Sequence, residues 1–360
     1  MCRALSTKQS RLTADGGDGK TAGEDSKPLR GKGKLMVRML KIFMRLGRMQ
    51  TAGITGLLPV LGLWAAGSHL PVPSYLWLFA VGVLNHYAGF ALNEFFDERI
   101  DRLSGELSGK PLLAGDISAA WAKLSSVAAI SASLLLTWFF APRPLAGLAI
   151  NAGALALAVL YDSMGKRVPG MDVALAASAA LGVLFGPVAY GSEIGALPAL
   201  LAAAFAVQLL LQNTAAGLKD LDQDALAGAV SFPLWLGCWR KGDQLHITRS
   251  FYGWLWSVKI VQVTVLTTAL IHSAPGGVRA GLTAALLFAG IVALRQLPVA
   301  PDRRAFFVRL GLHEVTGLLA ILAAFYPAFG PNGAAVILAV PSVWAVVTVL
   351  WAHGGKPPVL

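Results

Sequence analysis

From residue 52 onward the chain alternates long apolar stretches with short polar ones. Apolar runs of about 18 residues or more fall at 52–69, 75–92, 119–141, 143–161, 171–190, 195–216, 252–272, 277–297, 306–329 and 333–352. Each is continuous, with Gly and Ala throughout, and lacks the strict alternation of a membrane-barrel strand. The pattern predicts an all-α fold, a polytopic bundle of nine or ten transmembrane helices. No soluble domain is expected after the first span.

The first fifty residues break the pattern. Residues 1–34 are polar and Gly-rich, which reads as a disordered basic tail. Residues 35–50, the body of "KLMVRMLKIFMRLGRM", mix Met, Leu, Ile and Phe with Lys and Arg. That mixture predicts an amphipathic helix lying on the membrane surface. Residues 51–360 then form the membrane domain. No short apolar run with a small-residue cleavage site precedes the first span, so no cleaved signal peptide is expected.

Composition sharpens this reading. The chain is 56% hydrophobic and 14% charged, with mean hydropathy +0.62, against about 25% charged in soluble domains. The net charge is +11, and the first fifty residues hold twelve Lys/Arg against four Asp/Glu. A basic leader beside membrane spans is an anchor to anionic lipids, so membrane lipids and not nucleic acid are the expected partner.

Charge also sets the orientation. With the leader in the cytoplasm, loops after even-numbered spans carry Arg99, Arg102, Lys110, Lys166, Arg167, Lys219, Arg240, Lys241, Arg303 and Arg304. The opposite loops carry little beyond Arg143 and Arg279. This bias places the N-terminus and the loops after even-numbered spans in the cytoplasm. Cys2 and Cys238 have no metal-ligand spacing, and on that side no disulfide is expected.

The acids follow the same bias, which topology does not require. Of fifteen Asp/Glu beyond the leader, only Glu193 maps to the far side. One cluster is "NEFFDERID", where Asn93, Asp97 and Asp101 recur every four residues and share a helix face. The other is "GLKDLDQDALAG", with Asp220 and Asp224 also four apart and Asp222 between them. Facing carboxylates about 6 Å apart repel by roughly 3 kcal/mol per pair at an effective dielectric near 20. Lys and Arg of the same loops relieve this, and a divalent ion relieves it better.

A third element, "YDSMGKRVPG", brings Tyr161, Lys166 and Arg167 to that membrane face. Lys110, Lys166, Arg167 and Lys219 would surround the carboxylates. Mg²⁺ takes one or two carboxylates plus phosphate oxygens, and bases hold the anion. Together they suit an amphiphilic diphosphate, with its head at the cytoplasmic surface and its tail among the apolar spans.

These segments resemble the UbiA family of intramembrane prenyltransferases. Asn93, Asp97 and Asp101 match its first Asn-x-x-x-Asp-x-x-x-Asp motif; "KPLLAGDIS" matches the stretch that follows, with Lys110 where Arg is commoner. Tyr161, Lys166 and Arg167 resemble its Tyr and Lys-Arg, and Asp220, Asp224, Gly228 and "FPLWLG" its second motif. The resemblance runs from residue 48 to about residue 240. It implies helices around a central cavity, with Asn93, Asp97, Asp101, Asp220 and Asp224 coordinating two Mg²⁺ that bridge a prenyl diphosphate. Arg102, Lys110, Tyr161, Lys166, Arg167, Lys219 and Arg48 would then serve the diphosphate. Two departures stand out. Ala216 occupies a place where the second motif often has Asn or Asp, so one metal has fewer ligands or is helped by Asp222. The run 333–352 adds a tenth span or a re-entrant tail to the usual nine.

The implied chemistry is ionisation of the prenyl diphosphate, followed by attack of a small lipophilic acceptor, expected to be aromatic, on the allylic carbocation. Asp97 or Asp101 would take the last proton. Polar residues inside spans point to the acceptor pocket. Asn85 and His86 lie about two turns before Asn93, and Asn213 lies the same distance before Asp220; they serve either the acceptor or contacts between helices. His313 and Glu314 are open in the same way. A terpene cyclase would use the same ionisation site and differ only in product. A secondary transporter would instead place its acids near the membrane midplane.

Overall fold

The computed structural model describes residues 28–103, 109–242, 244–273, 276–300 and 302–355. The tail expected over 1–34 therefore lies outside the described residues up to residue 27, as does Cys2. Residues up to Leu40 form a unit apart from the body, Lys41–Leu360. Helix α1 (Pro28–Leu46) starts earlier than the amphipathic helix expected over 35–50. Its first unit leaves Leu35, Met36, Val37 and Leu40 exposed. The helix stops before Arg48, whose backbone is left-handed at φ 43°.

The body is helical. α2 (Ala52–Ala65) is followed by α3 (Val72–Asp101), α4 (Ala119–Phe140), α5 (Pro144–Met164), α6 (Asp172–Tyr190) and α7 (Ala196–Ala216). Two short helices come next, α8 (Leu221–Leu226) and α9 (Phe232–Trp235). An antiparallel hairpin follows, β1 (Trp239–Lys241) with β2 (Gln244–His246). α10 (Arg249–His272), α11 (Gly277–Gln296) and α12 (Arg303–Ala352) complete the chain. Among the described residues, eight helices are long and apolar enough to cross a membrane. The protein is an integral, multi-pass membrane protein, and apolar side chains such as Phe139, Leu145, Val278 and Phe288 face outward as a lipid-exposed surface requires.

Three spans differ from the sequence pattern. α2 ends at Ala65 rather than residue 69, because Gly67 turns left-handed at φ 73° and the Ser68 amide donates back to Leu63. With eleven of its fourteen residues buried, α2 is an interior helix. α3 runs nine residues past the expected span to Asp101. At 1.5 Å per residue its 30 residues reach about 45 Å, beyond a hydrocarbon core of roughly 30 Å. Its last turns can therefore be polar. α12 is two helices that meet at a kink at Gly330 (φ 65°, ψ 177°) before Pro331, which separates the spans expected at 306–329 and 333–352.

The main core joins α2, α6, α7, α10, α11 and α12 through Leu61, Val183, Leu201, Leu266, Ile321 and Phe325. α2 and α6 touch backbone to backbone. A Cβ on Gly62 would lie 1.8 Å from the Val183 carbonyl oxygen, and one on Gly186 would lie 2.0 Å from that of Pro59. Small residues at membrane helix crossings permit this approach.

Candidate active site

Because consecutive spans run antiparallel, the C-terminal ends of α3, α5 and α7 share one end of the bundle with the turn before α2. They enclose a cavity of about 530 Å³. Its mouth is lined by Arg48, Asn93, Asp97, Asp101, Lys110, Tyr161, Asp162, Lys166, Lys219, Asp220 and Asp224, and its depth by apolar residues such as Leu58, Leu155, Phe185, Phe205 and Leu318.

The first acidic cluster sits on the last turns of α3. The Asn93 amide donates to Asp97 Oδ2 at 3.2 Å. Asp101 is paired with Lys110, whose Nζ lies 2.5 Å from Oδ2, with both residues under 9% exposed. The loop bearing Lys110 is held by Arg45, which donates to the Gly109 carbonyl at 2.8 Å and meets Asp116 at 3.3 Å.

The second cluster follows α7. Asp224 Oδ1 lies 2.7 Å from Lys166 Nζ, which joins α8 to the end of α5. The Lys166 carbonyl also accepts from the Val230 amide. Burial disfavours the Lys166 charge, yet the carboxylates of Asp224, Asp220 and Asp97 outweigh it and raise its pKa. Burial is the largest influence on Asp220 and raises its carboxyl pKa against the opposing pull of Lys219 and Lys166.

Arg48 enters from the turn before α2. Left-handed backbone costs a non-glycine residue about 1–2 kcal/mol, and three groups hold it. His86 Nε2 lies 3.2 Å from the Arg48 carbonyl, the Thr51 hydroxyl donates to it at 3.1 Å, and Trp344 Nε1 donates to Met49 O at 2.6 Å. The guanidinium lies over the Phe90 ring at 5.1 Å.

Other expected residues have different surroundings. Arg102 pairs with Glu98 at 2.6 Å and Arg167 is exposed; neither lines the cavity, so the structure does not bring them to the other bases. Asp222 is also outside the lining, while Ala216 is in it. The three residues considered for the acceptor pocket all line the cavity and are all engaged. Asn85 belongs to a network with Asn151 and Ser133, at 2.8 and 2.6 Å. His86 Nδ1 meets Thr55 at 2.9 Å. Asn213 donates to the Tyr161 hydroxyl at 2.9 Å and to Asp172.

The sequence pattern passed over Asp162, Asp172, Gln208 and Gln212. Asp162 is 8% exposed and lies in the mouth with Asn93 among the lining, its Oδ2 buried and without a hydrogen-bond partner. It is the last acid before α5 ends, and a carboxylate inside an apolar span was the available signal.

The acids suit a hard divalent cation, which takes oxygen ligands. Two buried carboxylate oxygens, Asp162 Oδ2 and Asp224 Oδ2, have no hydrogen-bond partner. Among the described residues no three acids or histidines converge on one point. Mg²⁺ takes one or two carboxylates and completes its shell with phosphate and water oxygens.

A multi-pass helical bundle closed around a chamber that is polar at one end and apolar below defines the class of membrane protein. The sequence profile of the UbiA prenyltransferase family matches residues 56–312, and the chain belongs to that family. The 4-hydroxybenzoate octaprenyltransferase of Tolumonas auensis is 29% identical over 206 residues, covering 55% of this chain and 68% of that one. The digeranylgeranylglyceryl phosphate synthase of Natronomonas pharaonis is 30% identical over 202 residues, covering 56% and 70%. Among solved structures, the apo UbiA homolog of Aeropyrum pernix K1 aligns with TM-score 0.60 and 19% identity over 76% of this chain and 96% of its own. The Archaeoglobus fulgidus homolog bound to DMAPP and Mg²⁺ aligns with TM-score 0.56 and 18% identity over 78% of this chain and 98% of its own.

Proposed function

We propose that the protein transfers a prenyl group from a prenyl diphosphate to a small aromatic acceptor within the membrane, at a mouth on the cytoplasmic side. The observation that carries this reading is one cavity that joins five Asp and four basic side chains at its mouth to an apolar interior. A substrate with an anionic head and a hydrocarbon tail matches both parts. The relatives named for 4-hydroxybenzoate octaprenylation favour an aromatic acceptor, and the homolog bound to DMAPP and Mg²⁺ favours a prenyl diphosphate donor.

Asp97, Asp101, Asp220 and Asp224, with Asn93 and Asp162 beside them, are the groups to hold Mg²⁺. When bound, the metal would neutralise negative charge on the diphosphate leaving group. The chain's own residues share this work. Lys110, Lys166, Lys219 and Arg48 offer donors to the diphosphate where charge develops as the carbon–oxygen bond breaks. The apolar wall of Leu58, Phe185, Phe205 and Leu318 keeps water from the allylic cation. An electron-rich ring then attacks the cation, and a mouth carboxylate such as Asp97 or Asp162 accepts the ring proton.

The test is purified protein in liposomes with radiolabelled prenyl diphosphates, Mg²⁺ and a panel of phenols, read by mass spectrometry of the lipid extract. A prenylated phenol is expected from the wild type and not from Asp97→Ala. Diphosphate release that survives Asp97→Ala would refute the reading, and a cyclic hydrocarbon formed without acceptor would redirect it to cyclisation.

A further inference from the structure

Below the mouth, α7 lines the cavity with Gln208 and Gln212, one turn apart, and α12 adds Glu314. Neighbours that can play only one role fix how the amides point. Lys259 is 1% exposed and can only donate, so Gln262 presents Oε1 to it at 2.6 Å. Gln262 Nε2 then donates to Gln208 Oε1. This leaves Gln208 Nε2 as the end of the chain, a buried donor without a partner in a residue 3% exposed. Gly317 makes room for it, since a Cβ there would lie 2.0 Å from Gln208 Oε1.

Gln212 is fixed in the opposite sense. Its Nε2 donates to Glu314 Oε2 at 3.0 Å, and its Oε1 is left buried without a partner. One face of α7 therefore offers an unfilled donor and an unfilled acceptor on adjacent turns, beside a carboxylate. Buried polar atoms without partners are rare, and each calls for a missing group. A hydroxyl accepts from one neighbour and donates to another, so it has the chemistry that this donor and acceptor lack.

We infer that Gln208 and Gln212 anchor a ring hydroxyl of the acceptor, and that Glu314 disfavours a carboxylate at the same place. This rests on the proposed transfer to an aromatic acceptor and names the chemistry of that acceptor's anchored edge: an uncharged phenolic hydroxyl. Gln208 and Gln212 precede Asp220 by about two to three helical turns, so a ring held there lies in the apolar part of the cavity. A second negative charge beside Glu314 in this low-dielectric wall is repelled.

The experiment measures ligand binding to the full chain in nanodiscs, with hydroquinone, 1,4-dimethoxybenzene and 4-hydroxybenzoate as probes. The wild type should bind hydroquinone about tenfold more tightly than its dimethyl ether, the worth of one good hydrogen bond. Gln212→Leu should erase that preference, because only a hydroxyl can donate to Gln212 Oε1, and Gln208→Leu should weaken both probes alike, with thermal melting reporting that each is folded. Glu314→Gln should narrow the gap between hydroquinone and 4-hydroxybenzoate at least threefold. A preference that survives Gln212→Leu, or is absent from the wild type, would mean that water alone fills the site and would overturn the inference. An unchanged gap in Glu314→Gln would overturn the discrimination against carboxylates. Binding is read without turnover, so a wild type that releases no diphosphate would defeat the parent reading while these outcomes still decide this one.

Discussion

Lys166 Nζ and Asp224 Oδ1 lie 2.7 Å apart and tie the end of α5 to α8. Asp224 is 1% exposed, so removing its cation strands a buried charge. Lys166→Ala should destabilise the protein by about 3 kcal/mol, the usual cost of breaking a buried pair from one side. Lys166→Met combined with Asp224→Leu should recover most of that loss, because two apolar groups leave no charge behind. Both proteins should lack diphosphate release. Denaturation in detergent and a diphosphate assay check the two halves separately; a double variant no more stable than Lys166→Ala would contradict the pairing.

Asp220 gives a pH-dependent expectation. Burial raises its carboxyl pKa in the folded state, so the unfolded chain ionises first as pH rises. Native protein then holds the extra proton, and stability falls as pH climbs through the raised pKa. In the absence of metal and substrate, Asp220→Asn should melt higher than wild type at pH 8, with the difference shrinking toward pH 4. Melting curves across that range test the sign. A variant that melts lower at pH 8 would show that the carboxylate is held by more than its neighbouring lysines.

The spans and both acidic clusters were legible because each signal is local: an apolar run of fixed length, or carboxylates four residues apart. Legibility failed where a competing local pair or a distant neighbour decides. Arg102 looks like a site residue in sequence, but its partner one turn earlier, Glu98, holds it outside the cavity lining. His86 is a polar residue in an apolar span, and only the fold shows that its ring engages Thr55, Thr51 and the Arg48 carbonyl. The direction of the Gln208 amide depends on Lys259, which is about fifty residues away in sequence. Asp162 was readable as a carboxylate within a span, but its meeting with Asn93 required the packing of α5 beside α3.

The α2–α6 crossing should tolerate no side chain. Gly62→Ala would place a methyl group 1.8 Å from the Val183 carbonyl oxygen, and backbone cannot swing aside as a long side chain can. The helices must separate, which opens the core around Leu61 and Val183. A loss of about 2–3 kcal/mol is expected, within the range for overpacked cores. Gly89→Ala, where a Cβ meets nothing within 4 Å, is the control and should melt like wild type. Equal melting of the two variants would show that the crossing is looser than described.

Asp162 should set the magnesium requirement. Its Oδ2 is buried without a hydrogen-bond partner, in the same mouth lining as Asn93, Asp97 and Asp101. Ala216, where the second motif often has a polar ligand, cannot contribute one. A carboxylate from α5 is therefore the available substitute, and Asp162→Asn keeps its shape while removing its charge. The variant should need about tenfold more Mg²⁺ for half-maximal diphosphate release, a shift of about 1.4 kcal/mol. Mn²⁺ binding followed by electron paramagnetic resonance, without turnover, should weaken in parallel. Placing Asp at position 216 in the Asp162→Asn background should restore part of the affinity. An unchanged metal requirement in Asp162→Asn would remove Asp162 from the metal's surroundings and leave the ring proton as its remaining task.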